Sequence, residues 1–406
     1  MTRISRRGES MQASPIRKLI PLANAAKKKG KHVYHLNIGQ PDIETPALFF
    51  DAIEHHREPV LAYAPSEGLE VTRRSFAKYY QQHGMDFDTD EIIVTNGGSE
   101  AILFALLALC DTDDEIIVPE PFYTNYNSFA SAADVKICAL TTRAEDGFHL
   151  PSFEAIERKI NPRTRAILLS NPGNPTGVVY TDEEMEMLAD LAIKHDLVII
   201  ADEVYREFVY GDTACRSFFQ IDRIRDRVVM VDSISKRYSA CGARIGLIAS
   251  KDKVFMETVL KLCQGRLCVP TLEQIGAAAL IDTPPSYFEK VREEYRARRD
   301  IVFSALSEME GVICREPQGA FYVIAKLPVK DGEDFVRFLI SDFDIDQETT
   351  LLAPAEGFYA TPGLGKDEVR ISYCLKVEDC AKAMRIMKEG LKTYCTRFPQ
   401  KMPVNA

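Results

Sequence analysis

Three side chains of reactive type stand just past stretches that read as buried strands. Asn171-Pro-Gly-Asn-Pro-Thr-Gly177 follows Ala-Ile-Leu-Leu-Ser170, Asp202 follows Leu-Val-Ile-Ile-Ala201, and Ser233-Ile-Ser-Lys236 follows Val-Val-Met-Val-Asp232. Loops at the carboxyl ends of parallel strands are where open α/β sheets bind ligands. Asn174 can present an amide there without bringing charge, although Asn, Pro and Gly are also plain turn residues. An acid at the end of a buried strand is costly unless paired or hydrogen-bonded. By itself Asp202 reads equally as a helix N-cap. Lys236 reads as a surface residue, or as the amine needed when a desolvated lysine must form a Schiff base with a carbonyl.

The elements that must position them alternate in type. From about residue 90, strands are expected at 91–95, 115–118, 135–140, 165–170, 197–201, 227–233 and 244–249, with helices at 99–110, 123–132, 151–160 and 182–195. Thr181 caps the last of these, and Asp182, Glu183 and Glu184 suit the positive end of its dipole. Strands alternating with helices imply parallel crossovers and a sheet covered on both faces. The α/β class follows, with apolar rather than alternating strands. After Pro284-Pro285 the texture changes to a smaller α+β domain. It has helices at 287–308, 333–341 and 377–393 and strands near 312–315, 320–325, 350–352 and 369–373. Residues 14–45 are too few to fold alone and must dock onto something. No repeat or low-complexity linker is present.

Composition narrows the class. The chain has 406 residues, 46% hydrophobic and 27% charged, with net charge −10. That length favours two domains over one core. The longest apolar run, Ala101 to Cys110, is too short to cross a bilayer. An acidic balance argues against nucleic acid as a partner. The one dense basic cluster, Lys27 to Lys31, reads as a solvated helix end with Gly30 past the last turn. Ten cysteines without a CxxC pair read as reduced, buried thiols rather than metal ligands or disulfides. The segment from Met1 to Arg7 lacks an apolar signal core, and Met11 is an alternative start. A cytoplasmic enzyme is expected.

The ordered motifs carry more. They are Leu-Asn-Ile-Gly39-Gln-Pro-Asp42, Tyr63-x₄-Gly68, Asn-Gly97-Gly98-Ser99-Glu100, Pro121-Phe-Tyr123, the 171–177 loop, Asp202-x₂-Tyr205, Ser233-x-Ser-Lys236-x₇-Arg244-x-Gly246 and Val-Arg370-Ile-Ser. In this order the sequence resembles the pyridoxal-phosphate enzymes of fold type I, class I/II aminotransferases. Ser14-Pro-Ile-Arg17 places it nearest the aspartate-type subgroup.

The resemblance implies a mostly parallel sheet with helices on both faces and a role for each residue. Lys236 forms the Schiff base with pyridoxal 5′-phosphate and moves the proton. Asp202 pairs with the pyridine nitrogen, which an adjacent anion keeps protonated. Asn174 and Tyr205 bind the 3′-oxygen, and Tyr123 stacks on the ring or is a core aromatic. Gly98, Ser99 and Glu100 at a helix N-terminus hold the phosphate with Ser233 and Arg244. Tyr63 reaches the neighbouring subunit's phosphate in a homodimer with shared sites. Arg370 grips the substrate α-carboxylate, which Gly39 lets the N-terminal segment approach. The large cofactor domain spans 46–284, and 1–45 with 285–406 make the small domain.

Substrate choice stays open at this stage. Some relatives carry a lysine after the paired glycines, where this chain has Ser99. Arg17 and Arg266 are the candidate cations for a distal carboxylate, or else exposed helix charges. The expected reaction is transamination between an amino acid, aspartate-like by preference, and a 2-oxo acid such as 2-oxoglutarate. Neutral or aromatic donors, and a lyase or decarboxylase on the same scaffold, are the alternatives.

Overall fold

A computed structural model describes residues 3–211 and 215–399. Met1, half of the start-site alternative, and the last seven residues of the expected small domain lie outside them. Twelve strands form among the described residues: β1 (His32–His35), β2 (Ile92–Thr95), β3 (Glu115–Glu120), β4 (Lys136–Thr141), β5 (Thr164–Ser170), β6 (Val198–Asp202), β7 (Val228–Ser233), β8 (Gly246–Ala249), β9 (Tyr322–Lys326), β10 (Glu348–Leu351), β11 (Ala353–Pro354) and β12 (Glu368–Ser372).

Seven of them make the central sheet, in the order β2-β8-β7-β6-β5-β3-β4. All neighbours run parallel except β8, which is antiparallel to both β2 and β7. β7 is buried along its whole length, and β5 and β6 nearly so. Helices cover both faces, which is why these runs are apolar throughout. Ile117, Ile167 and Ile199 pack into one hydrophobic core, and Ile116, Leu168 and Ile200 into another. Helix Asp182–His195 starts in a reciprocal capping box between Thr181 and Glu184, a device worth about 1 kcal/mol.

The smaller α+β domain has two small sheets, β11-β12-β9 antiparallel and β1 parallel to β10. Its core joins Leu19, Ala23 and Tyr34 to Tyr295, Leu339 and Met384. The N-terminal segment therefore docks here: helix Ile20–Lys28 ends at Lys29 and Gly30 takes φ 89°, while β1 completes the β10 edge.

Some expected elements differ. No strand forms at 312–315: Ile313 makes one isolated bridge to Lys326, because Gly311 turns at φ 76° just before it. β9 starts at Tyr322 since Ala320 is left-handed at φ 54°. The expected strand at 350–352 divides into β10 and β11, which belong to different sheets. The helix expected at 151–160 is one turn, Phe153–Glu157. Helices Ala47–His55, Glu70–Gln82, Lys253–Arg266 and Thr271–Ala279 lie outside the expected set. All ten cysteines are free, but only Cys263, Cys374 and Cys380 are buried, so the expectation of buried thiols holds for those three alone. Among the described residues no helix is long and apolar enough to cross a membrane.

Candidate active site

Register brings the three strand ends together. Ser170 pairs with Asp202, Asp202 with Val231, and Ser233 with Gly246, which also faces Thr95 across β8. The loop after β5, the acid closing β6, the turn after β7 and the glycines after β2 thus open on one cavity of about 500 Å³. Its walls include Asn174, Asp202, Tyr205, Ser233, Lys236 and Arg244, with Gly98, Ser99 and Tyr123 on one side. Gly39, Arg17 and Arg370 close it from the small-domain side.

Asp202 is buried, and burial lifts its carboxyl to about 6, against the Tyr126 hydroxyl, the Val204 N–H and the charge of Lys236. Tyr126 donates to Oδ2 at 2.7 Å, while Val204 N–H reaches Oδ1 only at 3.4 Å. One carboxylate oxygen is thereby tied down and the other left available. Tyr205 Oη accepts from Asn174 Nδ2 at 3.4 Å and shares a hydrogen bond with Tyr322 Oη at 3.0 Å. Lys236 Nζ donates to the Gly39 carbonyl at 2.9 Å.

One end of the cavity is built for an anion. The N-terminus of the twelve-residue helix Gly98–Leu109 faces it, next to the Ser233 and Ser235 hydroxyls, which lie 2.7 Å apart. Gly246 makes this end possible, because a Cβ there would stand 2.5 Å from Gly97 C and 2.6 Å from Gly98 N. Arg244, left-handed at φ 54°, donates to the Cys241 carbonyl at 3.0 Å and keeps its second amine near Asn96 O. The Glu100 side chain instead accepts from Asn96 N–H at 2.8 Å and faces Arg266 Nε at 3.4 Å, and neither residue lines the cavity.

At the opposite end Arg370, 1% exposed, donates to Asn37 O at 2.6 Å and Asn174 Oδ1 at 3.3 Å. Its guanidinium lies between the Tyr322 and Phe358 rings, 4.6 and 4.9 Å from their centres, and its Nε has no hydrogen-bond partner among the described residues. Such an orphaned buried donor asks for an acceptor from a ligand. Arg17 is exposed at the cavity wall, and no carboxylate among the described residues pairs with it. Tyr63, 82% exposed, lies away from this cavity in a hollow with Leu61, Cys268 and Pro270.

A buried anion, an amine, hydroxyls with helix N–H groups, and a desolvated guanidinium therefore converge in one space. That donor set fits a phosphorylated pyridine aldehyde: hydroxyls and N–H groups for phosphate, Asp202 for a protonated ring nitrogen and Lys236 for the aldehyde. Tyr126 and Tyr322 escaped the sequence reading. Tyr126 could have been found three residues beyond Tyr123, in the first turn of helix Asn125–Ala133, whereas Tyr322 carries no local signal.

The family model described as "Aminotransferase class I and II" matches residues 31–386. Among curated relatives, the aspartate aminotransferase of Bacillus subtilis is 29% identical over 97% of this chain and all of its own. Aromatic-amino-acid aminotransferase 2 of Thermococcus litoralis is 31% identical over 96% of this chain and 98% of its own. The solved alanine aminotransferase of Pyrococcus furiosus superposes with a TM-score of 0.88 at 29% identity, covering 96% of this chain and 100% of its own.

Proposed function

This chain belongs to the class I and II aminotransferase family, and from that premise we propose how its own residues serve the reaction. It is a pyridoxal-phosphate-dependent aminotransferase whose substrates are an amino acid and a 2-oxo acid. The cofactor, when bound, supplies an electron sink for the carbanion formed at the substrate's α-carbon. Everything else is done by the chain. Lys236 takes the proton from that carbon and returns it to the cofactor side. Asp202 keeps the ring nitrogen protonated, with Tyr126 orienting it. Asn174 and Tyr205 hold the 3′-oxygen. Ser99, Ser233, Arg244 and the N–H groups of the 98–100 turn hold the phosphate. Arg370 and its orphaned Nε take the α-carboxylate.

The observation that carries this reading is that Lys236, Asp202 and Arg370 line one cavity. The donor is acidic, aspartate-like, with Arg17 meeting the distal carboxylate; Arg17 stands at the wall without a carboxylate partner among the described residues, whereas Arg266 faces Glu100. A second reading, a neutral or aromatic donor, is favoured by Ile16, Ile38 and Ile102 in the same wall. Residues 46–284 make the cofactor domain, and 1–45 with 285–406 the substrate-gripping one. The enzyme is a cytoplasmic homodimer in which exposed Tyr63, beside exposed Val60 and Leu61, reaches the partner's phosphate.

A panel of amino acids added to the purified holoenzyme, followed by the absorbance of the lysine-bound cofactor, tests the reaction. Aspartate and glutamate should bleach the band fastest, and Arg17→Ala should erase that preference. Failure of every donor, or normal turnover by Lys236→Ala, sinks the reading. Release of ammonia with 2-oxo acid would mark a lyase instead. Mixing Tyr63→Phe with Lys236→Ala protein should give hybrid dimers with one intact site; sedimentation as a monomer would exclude the shared-site arrangement.

A further inference from the structure

Lys236 rides on a single helical turn, Ile234–Arg237. One turn is too short to hold its own orientation. The neighbouring Arg237 has its guanidinium directed into the core of the large sheet, where it is 3% exposed and ion-paired with Asp232. Asp232, fully buried at the end of β7, precedes the turn that Arg237 closes, so the pair spans the whole turn.

The clamp continues behind it. Asp232 Oδ1 accepts the Ser233 N–H at 2.6 Å, and Oδ2 accepts the Tyr80 hydroxyl at 2.5 Å as well as Arg237. The Arg237 guanidinium sits 4.2 Å from the Tyr79 ring centre, and the Tyr79 hydroxyl donates to Glu207 at 2.5 Å. Burial works against the Glu207 carboxylate, but hydrogen bonds from His83 and Tyr79 and the charge of Arg237 hold it down at about 2. Tyr79 and Tyr80 both belong to helix Glu70–Gln82, so the lysine turn is braced from the side away from the cavity.

Stability alone does not account for this arrangement. Burying two charges carries a desolvation cost that well-packed apolar side chains would avoid, and Arg237 Nε has no hydrogen-bond partner among the described residues. What the pair does geometrically is bracket the turn that carries Ser233, whose N–H Asp232 holds, and Lys236, which Arg237 follows. We propose that Asp232 and Arg237 are positioning residues for the transamination. They hold Lys236 in place while its amine leaves the cofactor, carries the proton and returns, and they hold Ser233 against the phosphate. The inference rests on the reading of Lys236 given above.

The test compares Arg237→Met, Arg237→Lys and Leu188→Ala holoenzymes. Leu188 is fully buried on helix Asp182–His195 and serves as a destabilised core control outside the Asp232–Arg237 clamp. Arg237→Met should lower kcat about 100-fold with KM within about twofold, the signature of a misplaced reacting group. It should also displace the pH midpoint of the lysine-bound absorbance band and weaken cofactor retention on dialysis. Arg237→Lys keeps a cation opposite Asp232 and should recover most of the midpoint. Leu188→Ala should lose thermal stability without moving it. A wild-type midpoint and kcat in Arg237→Met, or an equal midpoint shift in Leu188→Ala, overturns the proposal. If Arg237→Met fails to fold, Asp232→Asn is judged by the same criteria. If the wild type itself forms no lysine-bound band, the reading of Lys236 fails and takes the proposal with it.

Discussion

Replacing Asp202 by Asn should make the cofactor-free protein more stable and the enzyme inactive. Asp202 is 5% exposed, and burial raises its carboxyl from 3.8 to about 6. At low pH the group is protonated in both folded and unfolded chains and contributes no difference. As pH rises from 3.8 towards 6 the unfolded chain ionises first, so the unfolded state binds fewer protons and stability falls. Above about 6 the deficit levels off, and at 1.36 kcal/mol per unit it amounts to about 3 kcal/mol. Asparagine has nearly the same shape, accepts the Tyr126 hydroxyl and carries no charge, so it removes the deficit. Urea unfolding of the two cofactor-free proteins should show the variant ahead by up to about 3 kcal/mol near pH 7 and the curves converging below about pH 4. Turnover should fall at least about 1000-fold, because the ring nitrogen loses its anion. A variant less stable than wild type near neutrality, or an advantage that grows on acidification, would refute the argument that Asp202 is a charge held at a cost for function.

Three other changes bear on the same site. Tyr126→Phe removes a 2.7 Å hydrogen bond to that carboxylate. A bond to a charged group is worth about 1.5–3 kcal/mol, so the acid-side loss of cofactor, followed by absorbance, should begin about 1–2 pH units higher. Gly246→Ala forces a methyl against backbone atoms of Gly97 and Gly98; equilibrium dialysis should show cofactor affinity down at least about tenfold, or about 1.4 kcal/mol. Arg370→Lys gives up the planar fork between Tyr322 and Phe358 and should cut kcat/KM for the amino acid about 10–100-fold, leaving cofactor binding unchanged.

The strand ends were legible because burial on both faces writes a continuous apolar run, and β5, β6 and β7 each end on such a run. Lys236, Asp202 and Asn174 could therefore be placed at the mouth of a sheet from local pattern, with the motif order supplying their roles. What pattern does not carry is pairing over long distance. Tyr322 meets Tyr205 from 117 positions away, and Tyr80 reaches Asp232 across 152. Arg237, read only as the residue after a lysine, gives no hint that it faces the core. The stretch around Ile313 shows the opposite failure: its residues suit a strand, but Gly311 turns the backbone before a ladder can extend.

The pairing of β1 with β10 has a consequence for synthesis on the ribosome. His32 to His35 find their partners at Glu348 to Leu351, more than 300 residues later, and β10 is the one strand paired with β1 among the described residues. At about 5–20 residues per second, that interval is roughly 15–60 s. Throughout it Val33, Tyr34 and Leu36, all buried in the finished protein, stay exposed on the nascent chain while the central sheet can already assemble. The N-terminal strand is made among the first and seated among the last, because its one pairing partner among the described residues is synthesised near the end of the chain.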